Sequence, residues 1–151
     1  MIRSLIAVVC LFLTVSLCGT SVKGHGVKWF SDVESAQKSL KGEKKAILLF
    51  FTAPGWCGPC RMLEAGPVAS PEFAKLVNSS AAAVKLDYSN RRNVSDKARA
   101  ALQKYQIEGF PSMLVLDANG KEKGRLVGNL PKKLFLEKLE GLVKTPQKQK
   151  K

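Results

Sequence analysis

No hydrophobic run in this 151-residue chain reaches the roughly 18 residues that a membrane-spanning helix needs. The longest run lies near the start, from Leu5 to Leu17, after the cation Arg3 and before the small and polar residues 19–24. A cation, a short apolar segment and small residues are the three parts of a secretory signal peptide. We therefore predict that residues 1–24 are removed during export to the periplasm or the cell exterior. An uncleaved membrane anchor is the alternative.

The processing site is left open by the sequence. Cleavage after Gly24 places small or short residues, Val22 and Gly24, at the two critical positions, and cleavage nearer Gly19 fits almost as well. Lipid attachment at Cys18 is a further alternative. Leu17, directly before it, is bulkier than the residue such processing usually needs.

Histidine and cysteine are scarce beyond residue 24. The chain has one histidine, His25, and of its four cysteines only Cys57 and Cys60 remain. A structural zinc ion takes about four ligands, so half of a zinc site is the weaker interpretation and we predict no metal. Two cysteines also exclude a framework of several structural disulfides. A close pair in a domain that can fold on its hydrophobic core indicates redox chemistry, for which we expect no cofactor.

Acidic residues are few: the chain has 12, against 25 lysines and arginines, for a net charge of +13. The charge falls to +11 when Arg3 and Lys23 are removed with the leader. Attraction to acidic partners or anionic membranes is one interpretation, and lysines scattered over a solvated surface are the other. Aromatic residues do not alternate with a basic stripe, so we predict no nucleic-acid partner.

The remaining chain alternates predicted helices and strands. The predicted strands cover 46–52, 81–87, 112–116 and 123–127, and the predicted helices start at Ser31 or Asp32, at the cysteine pair, at Ser70, at Ser95 and at Pro131. The turn at 117–120 makes the last two strands a hairpin. We predict one α/β domain over 25–143, with a central mixed sheet, helices on both faces and a C-terminal hairpin, followed by a basic disordered tail over 144–151.

Two expectations concern the helices themselves. Gly66 and Pro67 are expected to end the helix that starts at the cysteine pair. In the last helix, five apolar residues are expected to form one inward stripe: Leu134, Phe135, Leu139, Leu142 and Val143.

The cysteine pair has the spacing that disulfide exchange requires. Only a thiolate attacks a disulfide, and Cys57 follows a predicted strand at the first turn of a helix, where free N–H groups favour negative charge. Cys60 lies one helical turn further and can resolve the mixed disulfide. Pro59 has no N–H to leave unpaired, Gly58 keeps the approach to Cys57 open, and Trp56 offers a flat apolar surface beside it.

The run Trp56-Cys57-Gly58-Pro59-Cys60 resembles the active-site motif of the thioredoxin family in full, and the similarity extends over most of the chain beyond the leader. The chain is also similar to the exported thioredoxin-like proteins of bacteria. The resemblance implies a thioredoxin-like fold, a cis-proline at Pro111 that shapes the substrate groove, and a Phe110 backbone that pairs with a bound peptide. The alternative is that Pro111 only starts a strand.

One position departs from the family pattern. Thioredoxins carry a buried acid on the strand before the motif, where it helps to remove the proton of the second cysteine, but Phe50 or Phe51 occupies that place here. Lys85 resembles the family's lysine near that acid, and we expect it to lack its usual partner and to face solvent. Water or Glu64 are the candidates for accepting the Cys60 proton, so Lys85 and Glu64 are the candidate pKa modulators.

Residues and resemblance together predict a thiol-disulfide oxidoreductase that acts as a monomer on protein thiols or disulfides outside the cytoplasm. The Gly58-Pro59 dipeptide favours a reductant or isomerase-like exchanger, and a membrane electron-donor protein is a candidate for recycling it. The alternative is a chaperone or adaptor that grasps extended peptides through Pro111 with little redox turnover. The intact Cys57 and Cys60 argue against that alternative, because binding alone requires neither sulfur.

Overall fold

The structure, a computed structural model, describes residues 26–40 and 46–144. The predicted signal peptide over 1–24, His25 and the tail beyond Lys144 lie outside the described residues, as does the connection 41–45. Within the described part, no helix is long and apolar enough to cross a membrane.

The described chain alternates strands and helices much as the sequence predicts. The strands are β1 (Trp29–Phe30), β2 (Ala46–Thr52), β3 (Ala81–Asp87), β4 (Ser112–Asp117) and β5 (Glu122–Val127). The helices are α1 (Val33–Lys38), α2 (Gly58–Leu63), α3 (Pro71–Ser80), α4 (Asp96–Lys104) and α5 (Lys132–Lys144), with a π-helical turn over Glu64–Val68 between α2 and α3. Of the described elements, β1 and the π-helical turn have no counterpart among the predicted ones.

The strands form one five-stranded mixed sheet in the order β1-β3-β2-β4-β5. β3 pairs in parallel with both β1 and β2, and β4 pairs antiparallel with both β2 and β5. The predicted fold class, including the C-terminal hairpin, is confirmed. Because β2 and β3 end at the same edge where β4 begins, three loops meet there.

The core has two layers, one on each face of the sheet. Alternate residues of β2 point to opposite faces, and all seven are buried. Ile47, Leu49 and Phe51 pack with α1 and α4, while Ala46, Leu48 and Phe50 pack with α3 and α5. A strand buried on both faces explains the nearly unbroken apolar run Ala46–Thr52.

Side-chain caps start three of the helices where the sequence places them. The carboxylate of Asp32 accepts a hydrogen bond from the Ser35 N–H at 2.8 Å, so Asp32, rather than Ser31, caps α1. Ser70 and Ser95 cap α3 and α4 in the same way through their hydroxyl oxygens. Such a cap stabilises a helix by about 1 kcal/mol.

Three expectations about the helices are wrong in detail. Pro67 does not break the chain into a loop; it lies buried in the π-helical turn, whose wider winding accommodates a residue without an N–H. Leu134 is 39% exposed, because it lies about 100° around the helix from Phe135, off the buried face. Lys144, predicted as the first residue of the tail, instead ends α5 and pairs with Glu140.

The difference in exposure between Leu134 and Phe135 gives a test of the fold. Phe135 is 1% exposed and its ring centroid lies 5.9 Å from that of Phe73. We expect Phe135→Ala to lower the free energy of unfolding by about 3–5 kcal/mol through the lost burial and the cavity it leaves. Urea denaturation measures this, and the matched control Leu134→Ala should cost less than about 1 kcal/mol. Equal losses would contradict the assignment of the buried face.

Candidate active site

The turn after β2 delivers the cysteine pair to the edge of the sheet. The N–H groups of Trp56 and Cys57 both donate to the Ala53 carbonyl, at 3.1 and 2.9 Å, and close the turn. Arg61 on α2 reaches back and donates from Nη1 to the Pro54 carbonyl at 2.9 Å. The turn is therefore held at both ends before α2 begins.

Gly55 lets this turn touch the loop that follows β3. Its N–H donates to the Ser89 hydroxyl at 2.9 Å. A Cβ at position 55 would lie 2.8 Å from the Cβ of Ser89, closer than side-chain carbons approach. A glycine is required here for close contact between the two loops.

Cys57 and Cys60 form a disulfide, with their Cα atoms 5.3 Å apart. Cys57 is the N-cap of α2, and the Cys60 N–H donates to its sulfur at 3.2 Å. The same donor would stabilise the Cys57 thiolate after reduction, because it is a backbone group free at a helix start. Cys57 is 7% exposed and Cys60 is fully buried, so a substrate reaches Cys57 first.

Phe110 and Pro111 lie against the cysteine pair. The peptide bond between them is cis, and the Phe110 carbonyl oxygen lies 3.7 Å from the Cys57 sulfur. The Pro111 carbonyl accepts a hydrogen bond from the Gly128 N–H at 2.9 Å. Val127, beside it at the end of β5, is 57% exposed. The sequence did not single out Val127 or Gly128, which reach this edge only through the hairpin.

An aromatic cluster extends the site on the other side of Cys57. Trp56 is 42% exposed, and its Nε1–H donates to the Tyr88 carbonyl at 3.0 Å. Phe110 packs edge-on against Trp56, with ring centroids 5.6 Å apart, and its centroid lies 5.2 Å from that of Tyr88. The guanidinium carbon of Arg91 lies 4.1 Å from the Trp56 centroid, a cation–π contact.

Tyr88 and Arg91 were not predicted as site residues. They lie in the polar segment after β3, which looked like an ordinary connection. The one signal that could have found them is topological, since parallel neighbours β2 and β3 end at the same edge of the sheet.

Lys85 does have a partner, contrary to the expectation that it faces solvent alone. Its Nζ lies 2.6 Å from Oε2 of Glu64, and the buried Thr52 hydroxyl donates to Oε1 of the same carboxylate at 2.6 Å. Phe50 stands opposite Lys85 in the β2–β3 register. The carboxylate beside Lys85 therefore comes from Glu64 at the end of α2. The strand residue opposite Lys85 is the apolar Phe50.

The thioredoxin-like domain family matches residues 33–142 of this chain. The chain belongs to the thioredoxin-like family. The resemblance drawn from the sequence is confirmed, and with the Cys57–Cys60 disulfide it confirms a thioredoxin-like disulfide oxidoreductase.

Individual relatives agree with the family. The disulfide bond reductase DsbH of Chlamydia pneumoniae is 27% identical over 134 residues, which cover 78% of this chain and 80% of that protein. Thioredoxin 2 of Chlorobaculum tepidum is 38% identical over 101 residues, covering 67% of this chain and 81% of that protein. A solved structure titled DsbH Oxidoreductase superposes with a TM-score of 0.67 at 24% identity, over 80% of this chain and 87% of the other, and so shares the fold.

Two further observations on this thioredoxin-like chain concern metal-binding groups and a second cavity. Among the residues that the structure describes, no group of three or more His, Cys, Asp or Glu could hold a metal ion. A cavity of about 570 Å³ lies between α1 and α4, but none of the predicted site residues lines it. This cavity is therefore separate from the cysteine pair.

Tyr88 anchors the loop after β3 beneath the aromatic cluster. Its hydroxyl donates to the Ala98 carbonyl in α4 at 2.7 Å, and the residue is 4% exposed. Burial disfavours the charged phenolate and raises the pKa of Tyr88 to about 12. The protonated phenol is thus part of the folded site.

The Tyr88 pKa predicts a stability change at high pH. Because it is about 12 when folded and about 10 in an unfolded chain, the folded state binds this proton more tightly. The resulting stabilisation is complete below pH 10 and is lost as the pH rises through 12. We expect the free energy of unfolding to fall less steeply over this range in Tyr88→Phe than in the wild type. The free energy of unfolding is measured by urea denaturation at each pH. An equal fall with pH in the two proteins would contradict the assignment.

Proposed function

We propose that this thioredoxin-like protein reduces protein disulfides outside the cytoplasm. The observation that carries the proposal is a disulfide at the start of α2 whose outer sulfur, Cys57, lies beside the Phe110 carbonyl and whose inner sulfur, Cys60, is fully buried. The Gly58-Pro59 dipeptide supports the reducing direction, as does the relative named disulfide bond reductase. The apolar layout of residues 1–24 supports export.

The reaction follows from the unequal exposure of the two sulfurs. In the dithiol form the Cys57 thiolate attacks one sulfur of a substrate disulfide, a bond forms between them, and the other substrate sulfur leaves as a thiolate. Cys60 then attacks the Cys57 sulfur, which releases the second substrate thiol. Two electrons pass to the substrate, and the protein is left in the disulfide form described here.

The surface around Cys57 suits an extended peptide. Trp56 and Phe110 offer exposed or half-buried aromatic area, and Gly58 and Pro59 carry no bulky group over the sulfur. A substrate strand that runs past Pro111 would pair with the Phe110 backbone. In this arrangement the substrate sulfur is presented to Cys57 without any opening of the fold.

Glu64 takes the proton that Cys60 must lose before it attacks. Glu64 follows Cys60 by four residues and so lies one helical turn away on the same side. Thr52 and Lys85 each hold one of its two carboxylate oxygens, and each oxygen keeps room for a further hydrogen bond. A fixed, partly buried carboxylate thus replaces the strand acid that this chain lacks.

The reduced form has to be restored by a donor of two electrons. A membrane protein that carries a dithiol is the donor class we propose, because the chain is expected to work outside the cytoplasm. The enzyme acts as a monomer in this scheme, and the exchange requires no cofactor beyond the two cysteines.

The reducing role predicts a low reduction potential. We expect a value near the roughly −270 mV of reducing thioredoxins, measured by equilibration with a dithiol buffer of known potential, together with reduction of insulin disulfides. A potential near about −120 mV would instead assign the protein as an oxidant.

Cys57→Ser provides the control for this measurement and separates the peptide-binding alternative. The variant should lose all insulin reduction, because no attacking thiol remains. If it still suppressed the aggregation of reduced insulin chains as well as the wild type did, and the wild type showed no turnover, the chaperone interpretation would hold.

The role of Glu64 predicts a selective effect on the second step. With 5,5′-dithiobis(2-nitrobenzoate) as the disulfide, attack by Cys57 releases the first coloured thiolate and attack by Cys60 releases the second. We expect Glu64→Gln to leave the first step unchanged and to slow the second about tenfold or more, since the amide accepts no proton. Stopped-flow absorbance resolves the two steps.

The pH profile distinguishes proton transfer from structural damage. In Glu64→Gln the second step should rise more steeply with pH, because only solvent is left to take the proton. Glu72→Gln, on the exposed Glu72–Lys132 pair, is the matched control and should behave as the wild type. Equal slowing of both steps in Glu64→Gln would remove Glu64 from the mechanism.

A further inference from the structure

A small apolar pocket is lined by Trp56 and Phe110, the residues that precede Cys57 and Pro111. Its volume is about 220 Å³, below the roughly 300–1,000 Å³ of sites that enclose a small molecule, and it suits a single side chain. Its apolar lining consists of Trp56, Tyr88, Val94, Leu102 and Phe110. Since Trp56 precedes Cys57 and Phe110 precedes Pro111, a peptide held at the disulfide would have a neighbouring residue at this pocket.

Two arginines complete the lining, Arg91 and Arg99. Arg91 lies over the Trp56 ring, and Arg99 donates from Nε and Nη2 to the Val94 carbonyl at 3.1 and 2.9 Å. Within the described part of the chain, neither arginine forms an ion pair with a carboxylate. Both guanidinium groups therefore have N–H donors available beside an apolar pocket.

The surrounding segment has the same sign of charge. Residues 88–105 contain five cations and a single acid, Asp96. All five cations are exposed: Arg91, Arg92, Lys97, Arg99 and Lys104. Arginine binds carboxylates through two parallel hydrogen bonds and stacks on aromatic rings, and this pocket offers both kinds of contact at once.

We propose that this pocket is a substrate subsite, which binds an apolar side chain of an acidic protein segment, with Arg91 and Arg99 contacting the carboxylates that flank it. The inference rests on the proposed disulfide reduction and names its substrate class: protein disulfides next to aspartate or glutamate. The excess positive charge of the whole chain would attract such segments at a distance, while the pocket fixes their position beside Cys57.

Two disulfide peptides that differ only in charge test the proposal. Each carries the same leucine near its cysteine, flanked by two glutamates in one peptide and by two lysines in the other. We expect the wild-type kcat/KM to favour the acidic peptide by about tenfold. The difference should reside mainly in KM and should shrink as the salt concentration is raised, because salt screens exposed charges.

Arg91→Met tests the charge while it keeps a long apolar side chain over Trp56. The variant, and Arg91→Met combined with Arg99→Met, should lose most of the preference for the acidic peptide. Lys133→Met combined with Lys138→Met removes the same charge from the exposed side of α5 and should keep the preference. A preference that is absent in the wild type, or is lost equally in the α5 variant, overturns the subsite.

A neutral disulfide, bis(2-hydroxyethyl) disulfide, separates this inference from the proposed function. We expect the wild type and the α5 variant to reduce it at similar rates, so that the α5 control leaves the exchange chemistry intact and the ratio between the two peptides reports on the subsite. Reduction of the neutral disulfide without discrimination between the peptides overturns the subsite and leaves the proposed function standing. Failure to reduce any of the three disulfides overturns both.

Discussion

The burial of β2 on both faces is the constraint on which the rest of the site depends. All seven residues from Ala46 to Thr52 are buried, so the strand has one register and ends at one place. The antiparallel neighbour β4 starts where β2 ends, with Phe51 opposite Ser112, and this brings Pro111 to the turn that carries Cys57. The parallel neighbour β3 ends at the same edge, with Thr52 opposite Asp87. The direction and register of these strands thus bring the cysteines, the proline and the aromatic cluster to one edge.

At the same edge of the sheet, the carboxylate that pairs with Lys85 comes from a helix and not from the neighbouring strand. Position 50 on the strand carries a buried phenylalanine, yet Lys85 still finds a carboxylate, because Glu64 at the end of α2 reaches it at 2.6 Å. Thr52, the last residue of β2, donates a hydrogen bond to the other oxygen of the Glu64 carboxylate. The polar group enters from the partly exposed side of the helix, so its charge is not isolated inside the core, where an unpaired carboxylate would be costly.

How far the sequence predicts this structure depends on how local each signal is. The run Ala46–Thr52 and the Ser70 and Ser95 caps are local patterns, and each gave the right element. β1 was missed because the two residues Trp29–Phe30 are too short for any periodicity. The expectation for Lys85 failed because its partner lies 21 residues away in the chain and meets it only across the folded edge. The pocket lined by Arg91 and Arg99 was missed for the same reason. Arg91 and Trp56 lie on different loops and meet only in the folded protein.

With the role proposed for Glu64, the acid comes from the helix that carries the cysteines and not from the strand before it. Both thiols and the carboxylate now fall within eight consecutive residues, 57–64, and the sheet supplies only Thr52 and Lys85 as supports. One short segment, α2 with the turn that follows it, therefore places the disulfide and this carboxylate, so their spacing follows from local helix geometry.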